Sequence, residues 1–186
     1  MYAFAIIARK VFALFYVSLS MLNDQQQQWT GHITAENQGD INMILEQLCI
    51  AFNSSPFYTH NNLKMRVVDG QIEGYVEMDA HLIGNVKFQI LHGGVSATIL
   101  DSMGGVVAMS ELYRRSTPET FEETTKKVGK LATLDLRVDY LAPGRGKYFI
   151  AKAQVVRLGR KSCLMRMDLH NDQGIHIATG TASYVY

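Results

Sequence analysis

The chain has 186 residues, 47% of them hydrophobic, and a formal net charge of +1; its mean hydropathy is near zero. That length and composition predict one domain with a substantial core and exclude global disorder. The two cysteines, Cys49 and Cys163, have no metal or redox spacing partner, which excludes a disulfide scaffold and points to a reducing compartment, the cytoplasm.

Residues 1–20 are apolar but interrupted by Arg9-Lys10. As a membrane span they would carry two central charges, each costing about 2.5–3.5 kcal/mol. As a signal peptide they have an apolar stretch from Val11 to Leu19 and a Ser18-Leu19-Ser20 end. The preferred reading is an extension ahead of a start at Met21. Residues 22–39 are polar, with Gln25 to Gln28 in a row, and read as a linker. Residues 1–39 thus form an N-terminal extension and linker, and 40–186 the domain.

A helix is expected from Asp40, a plausible N-cap, with Ile41, Ile44, Leu45, Leu48 and Phe52 on one face. Leu63, Met65 and Val67 alternate with polar residues, Asp69-Gly70 turns the chain, and Ile72 to Met78 returns, which predicts a hairpin. A loop over 81–90 leads to His92-Gly93-Gly94 and a long apolar helix reaching about Tyr113. Val95, Ile99, Met103 and Val107 recur along it at four-residue steps. Gly104-Gly105 weakens that helix by about 1 kcal/mol per glycine and predicts a close approach of another backbone. Residues 114–130 read as a partly helical loop. Four strands follow, at 131–140, 147–158, 161–171 and 174–186. Leu134, Leu136, Val138 and Tyr140 should share one face. Ala178, Gly180 and Ala182 should leave room for a helix on the sheet. The order predicts an α+β fold, one antiparallel sheet wrapped around a long central helix.

Asp101 is the only charged residue from Gly93 to Ser110. Charged residues are rarely buried unless paired or used. The first N–H groups of the helix carry the positive end of its dipole and suit polarisation of a carbonyl oxygen. A carboxylate farther along supplies a nucleophile or base. Taken singly, these features fit equally well a tight turn and a structural carboxylate. Eight basic residues against one acidic residue lie between Arg137 and Arg166. They make either a solvated strand face or a surface for phosphates.

Three segments carry a resemblance. They are Ile90 to Val95 with Leu100-Asp101, Thr133 to Gly146 with its Tyr140-Leu141-Ala142-Pro143 strand end, and Ile177 to Tyr184. From about residue 40 to 186 the chain resembles hotdog-fold acyl-CoA thioesterases of the phenylacetyl-CoA thioesterase (PaaI) type, most closely the YigI-like thioesterases. The resemblance implies that Asp101 attacks the thioester carbonyl or activates water, and that the Gly93 N–H binds the thioester oxygen. Thr133 would position water, reaching Asp101 from a partner subunit, and His92 would orient the turn. The family's asparagine stands six residues before the histidine; here that position is Val86, and Asn85 is one residue out of register. Arg145, Lys147, Arg157, Arg160 and Lys161 are the candidates for the phosphates of the acyl-CoA substrate. Met103, Met109 and Leu112 are candidates for an acyl channel. A homodimer, or a dimer of dimers, is implied, without cofactor, metal or nucleic acid, and without a membrane unless residues 1–20 are an anchor. The alternatives are a hotdog dehydratase of hydroxyacyl thioesters, whose proline-flanked histidine is missing here, and a non-catalytic acyl-CoA-binding hotdog module, which needs no carboxylate.

Overall fold

The computed structural model describes residues 38–186. The readings of residues 1–20 and of the polar arm up to residue 37 lie outside them. Helix α1 spans Gln38–Asn53, so Asp40 lies inside its first turn and is not the N-cap; the backbone takes up the helix two residues earlier. Ile41, Leu45 and Leu48 are buried on its inner face. Pro56, at the first helical position, opens a short helix α2 over Pro56–His60.

Strands β1 (Leu63–Val68) and β2 (Gln71–Glu77) pair around Asp69-Gly70. Both turn residues have positive φ, 50° and 71°, as the tight hairpin requires. Residues 81–90 are more ordered than a loop. A 3-10 turn at Ala80–Leu82 leads into β3 (Ile83–Asn85), which pairs with β4 (Ile90–Leu91) in a small second sheet. The central helix α3 runs from Gly93 to Arg114 over 22 residues. Helix α4 (Phe121–Val128) follows, its outer face carrying the i,i+4 pairs Glu122–Lys126 and Glu123–Lys127. Strands β5 (Ala132–Tyr140), β6 (Tyr148–Leu158), β7 (Ser162–Asn171) and β8 (His176–Val185) complete the chain.

The main sheet has the order β1-β2-β6-β7-β8-β5 and is antiparallel throughout. It curls around α3, whose Ile99, Leu100, Met103, Val106 and Ala108 have no solvent exposure. They meet Phe149, Ala151, Met165, Met167, Leu169 and Ala178, also fully buried. This is the hotdog fold. The small residues of β8 do admit the helix, since a Cβ on Gly180 would stand 3.6 Å from Leu100 Cδ1. The Gly104-Gly105 pair works differently from the expectation. It admits a side chain, not a backbone: the Tyr184 ring lies under Gly104, and a Cβ there would collide with the Tyr184 hydroxyl. Met103 is buried in the core, packed against Gly74.

In an ordinary helix, Gly104→Ala would add about 1 kcal/mol of stability through propensity. Here the methyl overpacks against Tyr184. Urea denaturation should show a net loss of about 1–3 kcal/mol; a stabilised variant would contradict the packing described.

Candidate active site

Asp101 lies on α3, half-buried, where the helix faces β5 and β8. Two hydroxyls hold one of its oxygens. Thr133 Oγ1 donates to Oδ1 at 3.0 Å, and Tyr184 Oη donates to Oδ1 at 3.3 Å and to the Asp101 carbonyl at 2.7 Å. Oδ2 accepts no hydrogen bond from the described residues. None of the ion pairs among the described residues involves Asp101. Its charge is therefore steadied by neutral donors and left unneutralised. Burial, and then the Asp101 charge beside it, push the Tyr184 hydroxyl well above the usual phenol range, so Tyr184 remains a donor. The Tyr58 hydroxyl of α2 is also buried and has no well-formed hydrogen bond. Burial is the main cause of its raised pKa; the Ser102 hydroxyl opposes that shift and the Asp101 charge adds to it.

Thr133 reaches Asp101 of its own chain, not that of a partner subunit. The cause is a β-bulge. On β5, Thr133 pairs with Tyr184 and Asp135 with Ser183, so Leu134 is the extra residue. Beyond the bulge Leu136, Val138 and Tyr140 pair with Ala182, Gly180 and Ala178. Opposed residues share a face of a sheet. Thr133 therefore joins Leu136, Val138 and Tyr140 on the helix side, and Leu134 is 65% exposed. Strict alternation had placed Leu134 there instead. The bulge delivers the hydroxyl to the carboxylate.

At the other end of α3, His92 is the N-cap. It holds extended backbone angles, and its Nδ1 accepts the Gly94 N–H at 2.9 Å. The ring proton then belongs on Nε2. Two more N–H groups of the turn, those of Val95 and Ser96, go to the His92 carbonyl. The Gly93 N–H has no carbonyl one turn earlier in the helix to receive it and makes no backbone bond among the described residues. Tyr140 Oη donates to the Gly93 carbonyl at 2.8 Å. Asn85 sits on β3, and its Oδ1 accepts the Phe88 N–H at 3.2 Å, closing the β3–β4 turn. The three tyrosines, 58, 140 and 184, were missed in the sequence. For Tyr140 the available signal was its position at the strand end beside Pro143.

The cations fall into two groups. Arg145 and Lys147 follow Gly144, whose carbonyl accepts the Leu91 N–H at 2.8 Å, so they flank the Gly93 turn. Arg157, Arg160 and Lys161 surround the β6–β7 turn. That turn is joined to Tyr186, whose hydroxyl donates to the Gly159 carbonyl at 2.8 Å, and lies at the Thr133 end of the sheet. Ten residues of β6 separate Lys147 from Arg157, about 33 Å of strand. All five candidates are exposed. A cavity of about 870 Å³ opens where β2 and β6 splay apart, lined by Val107, Ser110 and Arg114 of α3. Ser110 comes nine residues after Asp101 and so projects from the opposite side of the helix; the cavity is not part of this site. Neither cysteine is an available nucleophile. Both are buried, and burial pushes the Cys49 thiol up to about 12 and raises that of Cys163.

A sheet curled on one helix, with a carboxylate in that helix held by hydroxyls and not by a cation among the described residues, and a glycine N–H at its start, is the construction of a hotdog thioesterase. The thioesterase superfamily model matches residues 88–178. The medium/long-chain acyl-CoA thioesterase YigI of Escherichia coli is 39% identical over 104 residues, covering 56% of this chain and 67% of that protein. A crystal structure from Shewanella oneidensis, described as related to the thioesterase superfamily, is 40% identical with a TM-score of 0.73. That match covers 78% of this chain and 96% of the other. A Bacillus halodurans protein solved with CoA is 23% identical, with a TM-score of 0.55 over 82% of this chain and 92% of that one, and shares the fold. The chain belongs to the thioesterase superfamily.

Tyr184→Phe keeps the ring under Gly104 and deletes both bonds to Asp101. Its urea midpoint should correspond to a loss of about 0.5–1.5 kcal/mol; an unchanged midpoint would mean that the hydroxyl does not anchor the carboxylate.

Proposed function

We propose that the protein hydrolyses acyl-CoA thioesters, releasing a free acid and CoA, and that Asp101 carries the reaction. The observation behind this is the carboxylate held through Oδ1 by Thr133 and Tyr184 with no cation to neutralise it. Such a group attacks the thioester carbonyl carbon directly or takes the proton from an attacking water. In either route the thiolate leaves, and one water is consumed per turnover. Thr133 steadies Oδ1 and offers its own oxygen to the water. The YigI relatives support a medium- or long-chain acyl group.

The oxyanion donor comes from a second copy. Gly93 precedes Asp101 by eight residues of α3, about 12 Å along the axis. One carbonyl cannot lie within about 3 Å of both. Each site is therefore built from Asp101 and Thr133 of one protomer and the partner subunit's Gly93. Two-fold pairing forms two such sites at once. The interface supported by the fold is β5, an edge strand with one row of backbone groups unpaired and Leu134 exposed. The same pairing accounts for the divided cations: Arg157, Arg160 and Lys161 flank the carboxylate half, while Arg145 and Lys147 flank the glycine half. The family resemblance implies dimers of dimers as well, and β5 accounts for the first pairing only.

Asp101→Asn keeps the shape and removes the charge. Thiol release from acyl-CoA should fall about a hundred- to ten-thousand-fold in kcat; full kcat in this variant would end the assignment. Mixing refolded Asp101→Asn and Gly93→Val chains should restore about a quarter of wild-type activity, since half the chains re-pair as mixed dimers with one intact site of two. No recovery in verified mixed dimers would show that the two halves belong to one chain. Arg145→Ala with Lys147→Ala should raise KM for acyl-CoA several-fold and leave KM for an acyl thioester without the nucleotide unchanged. Equal effects on both would remove these residues from the phosphate site.

A further inference from the structure

Tyr140 ends β5 in register with Ala178 of β8, and the next two N–H groups, of Leu141 and Ala142, both go to the Ile177 carbonyl. The strand end is therefore firmly placed. From it the Tyr140 hydroxyl crosses 47 residues of sequence to donate to the Gly93 carbonyl at 2.8 Å. Its ring covers Gly93 so closely that a Cβ at that position would stand 3.3 Å from three ring and hydroxyl atoms. Within its own chain the residue is 55% exposed.

The other N–H groups of the turn all have acceptors. Leu91 N–H goes to Gly144, His92 N–H to Leu82, Gly94 N–H to the His92 ring, and Val95 and Ser96 N–H to the His92 carbonyl. Gly93 joins the peptide that bears the free N–H to the peptide that bears the carbonyl. Glycine has wide conformational freedom, so its own backbone does little to fix the angle between these two planes. The first plane is held at the His92 carbonyl by the Val95 and Ser96 N–H groups; the second is held at the Gly94 N–H by the His92 ring and at the Gly93 carbonyl by Tyr140, the one restraint that comes from the main sheet.

We propose that Tyr140 is a positioning residue. Its hydroxyl holds the Gly93 carbonyl and, together with the bonds to His92, aims the Gly93 N–H at the thioester oxygen, while its ring crowds any side chain at position 93. This rests on the thioesterase reading above. The inference concerns orientation of an oxyanion donor, so its effect falls on the carbonyl oxygen of the substrate and not on the rest of the ligand.

The test uses Tyr140→Phe, which keeps the ring and deletes the hydroxyl, and two unreactive acyl-CoA analogues. One replaces the thioester by a ketone and keeps the carbonyl oxygen; the other is a thioether and has none. Tyr140→Phe should lower kcat about ten- to a hundredfold, a fraction of the loss on removing an oxyanion donor outright, with KM within about twofold. The ketone should bind several-fold more weakly and the thioether unchanged. Full kcat with unchanged ketone affinity overturns the inference. So does an equal loss for both analogues, which would make the role merely structural. Wild-type protein that releases no thiol defeats the hydrolase reading itself, and the ketone and thioether comparison still decides for Tyr140.

Discussion

Everything at the candidate site depends on holding one carboxylate, Asp101, on the inner half of the long central helix without a cation beside it among the described residues. An isolated carboxylate in low dielectric is costly, and proteins usually neutralise it with a cation. Here the solution is two hydroxyl donors on one oxygen and partial exposure of the residue. An Arg or Lys partner would hold the carboxylate more firmly and would also blunt it as a nucleophile or base. Thr133 and Tyr184 reach it because β5 and β8 are neighbours, and because Gly104 leaves space for the Tyr184 ring.

The second constraint is the pitch of the helix. Eight residues of α3 put the N-terminal donor and the carboxylate too far apart to share a substrate atom. Within one chain the glycine N–H and the carboxylate are therefore two separate places on the helix. Strand β5 touches both, through Thr133 at one end and Tyr140 at the other. Its position at the edge of the sheet leaves one row of backbone groups unpaired, and the proposed pairing with a second copy would use that row. The cations follow the same division, one group near each half.

Much of this was legible in order and type. The Asp69-Gly70 hairpin, the long helix after His92-Gly93-Gly94 and the four closing strands all follow from local chemistry: positive-φ turn residues, apolar spacing of 3.6 and alternation of 2. The small residues of β8 signalled contact with the helix. Less legible were short elements set by tertiary packing, such as β3 and β4, whose pairing over Ile83–Asn85 and Ile90–Leu91 has no strong periodic signal. Tyr184 was readable as a strand residue, but nothing local marks its hydroxyl as a ligand of a carboxylate 83 positions earlier.

The sequence by itself determined the class of fold, the isolation of Asp101 and the glycine at the start of α3, because each is a matter of residue type and short-range spacing. Only the tertiary structure decided how these parts meet. A single inserted residue at Leu134 reverses which side chain of β5 faces the helix, and alternation counts cannot see a bulge. That bulge put Thr133 on Asp101 of its own chain, where the sequence reading had assigned it to a partner. The strand order then carried Tyr140 to Gly93, since a hydrogen bond across 47 residues depends on which strands lie side by side and not on anything adjacent in the chain.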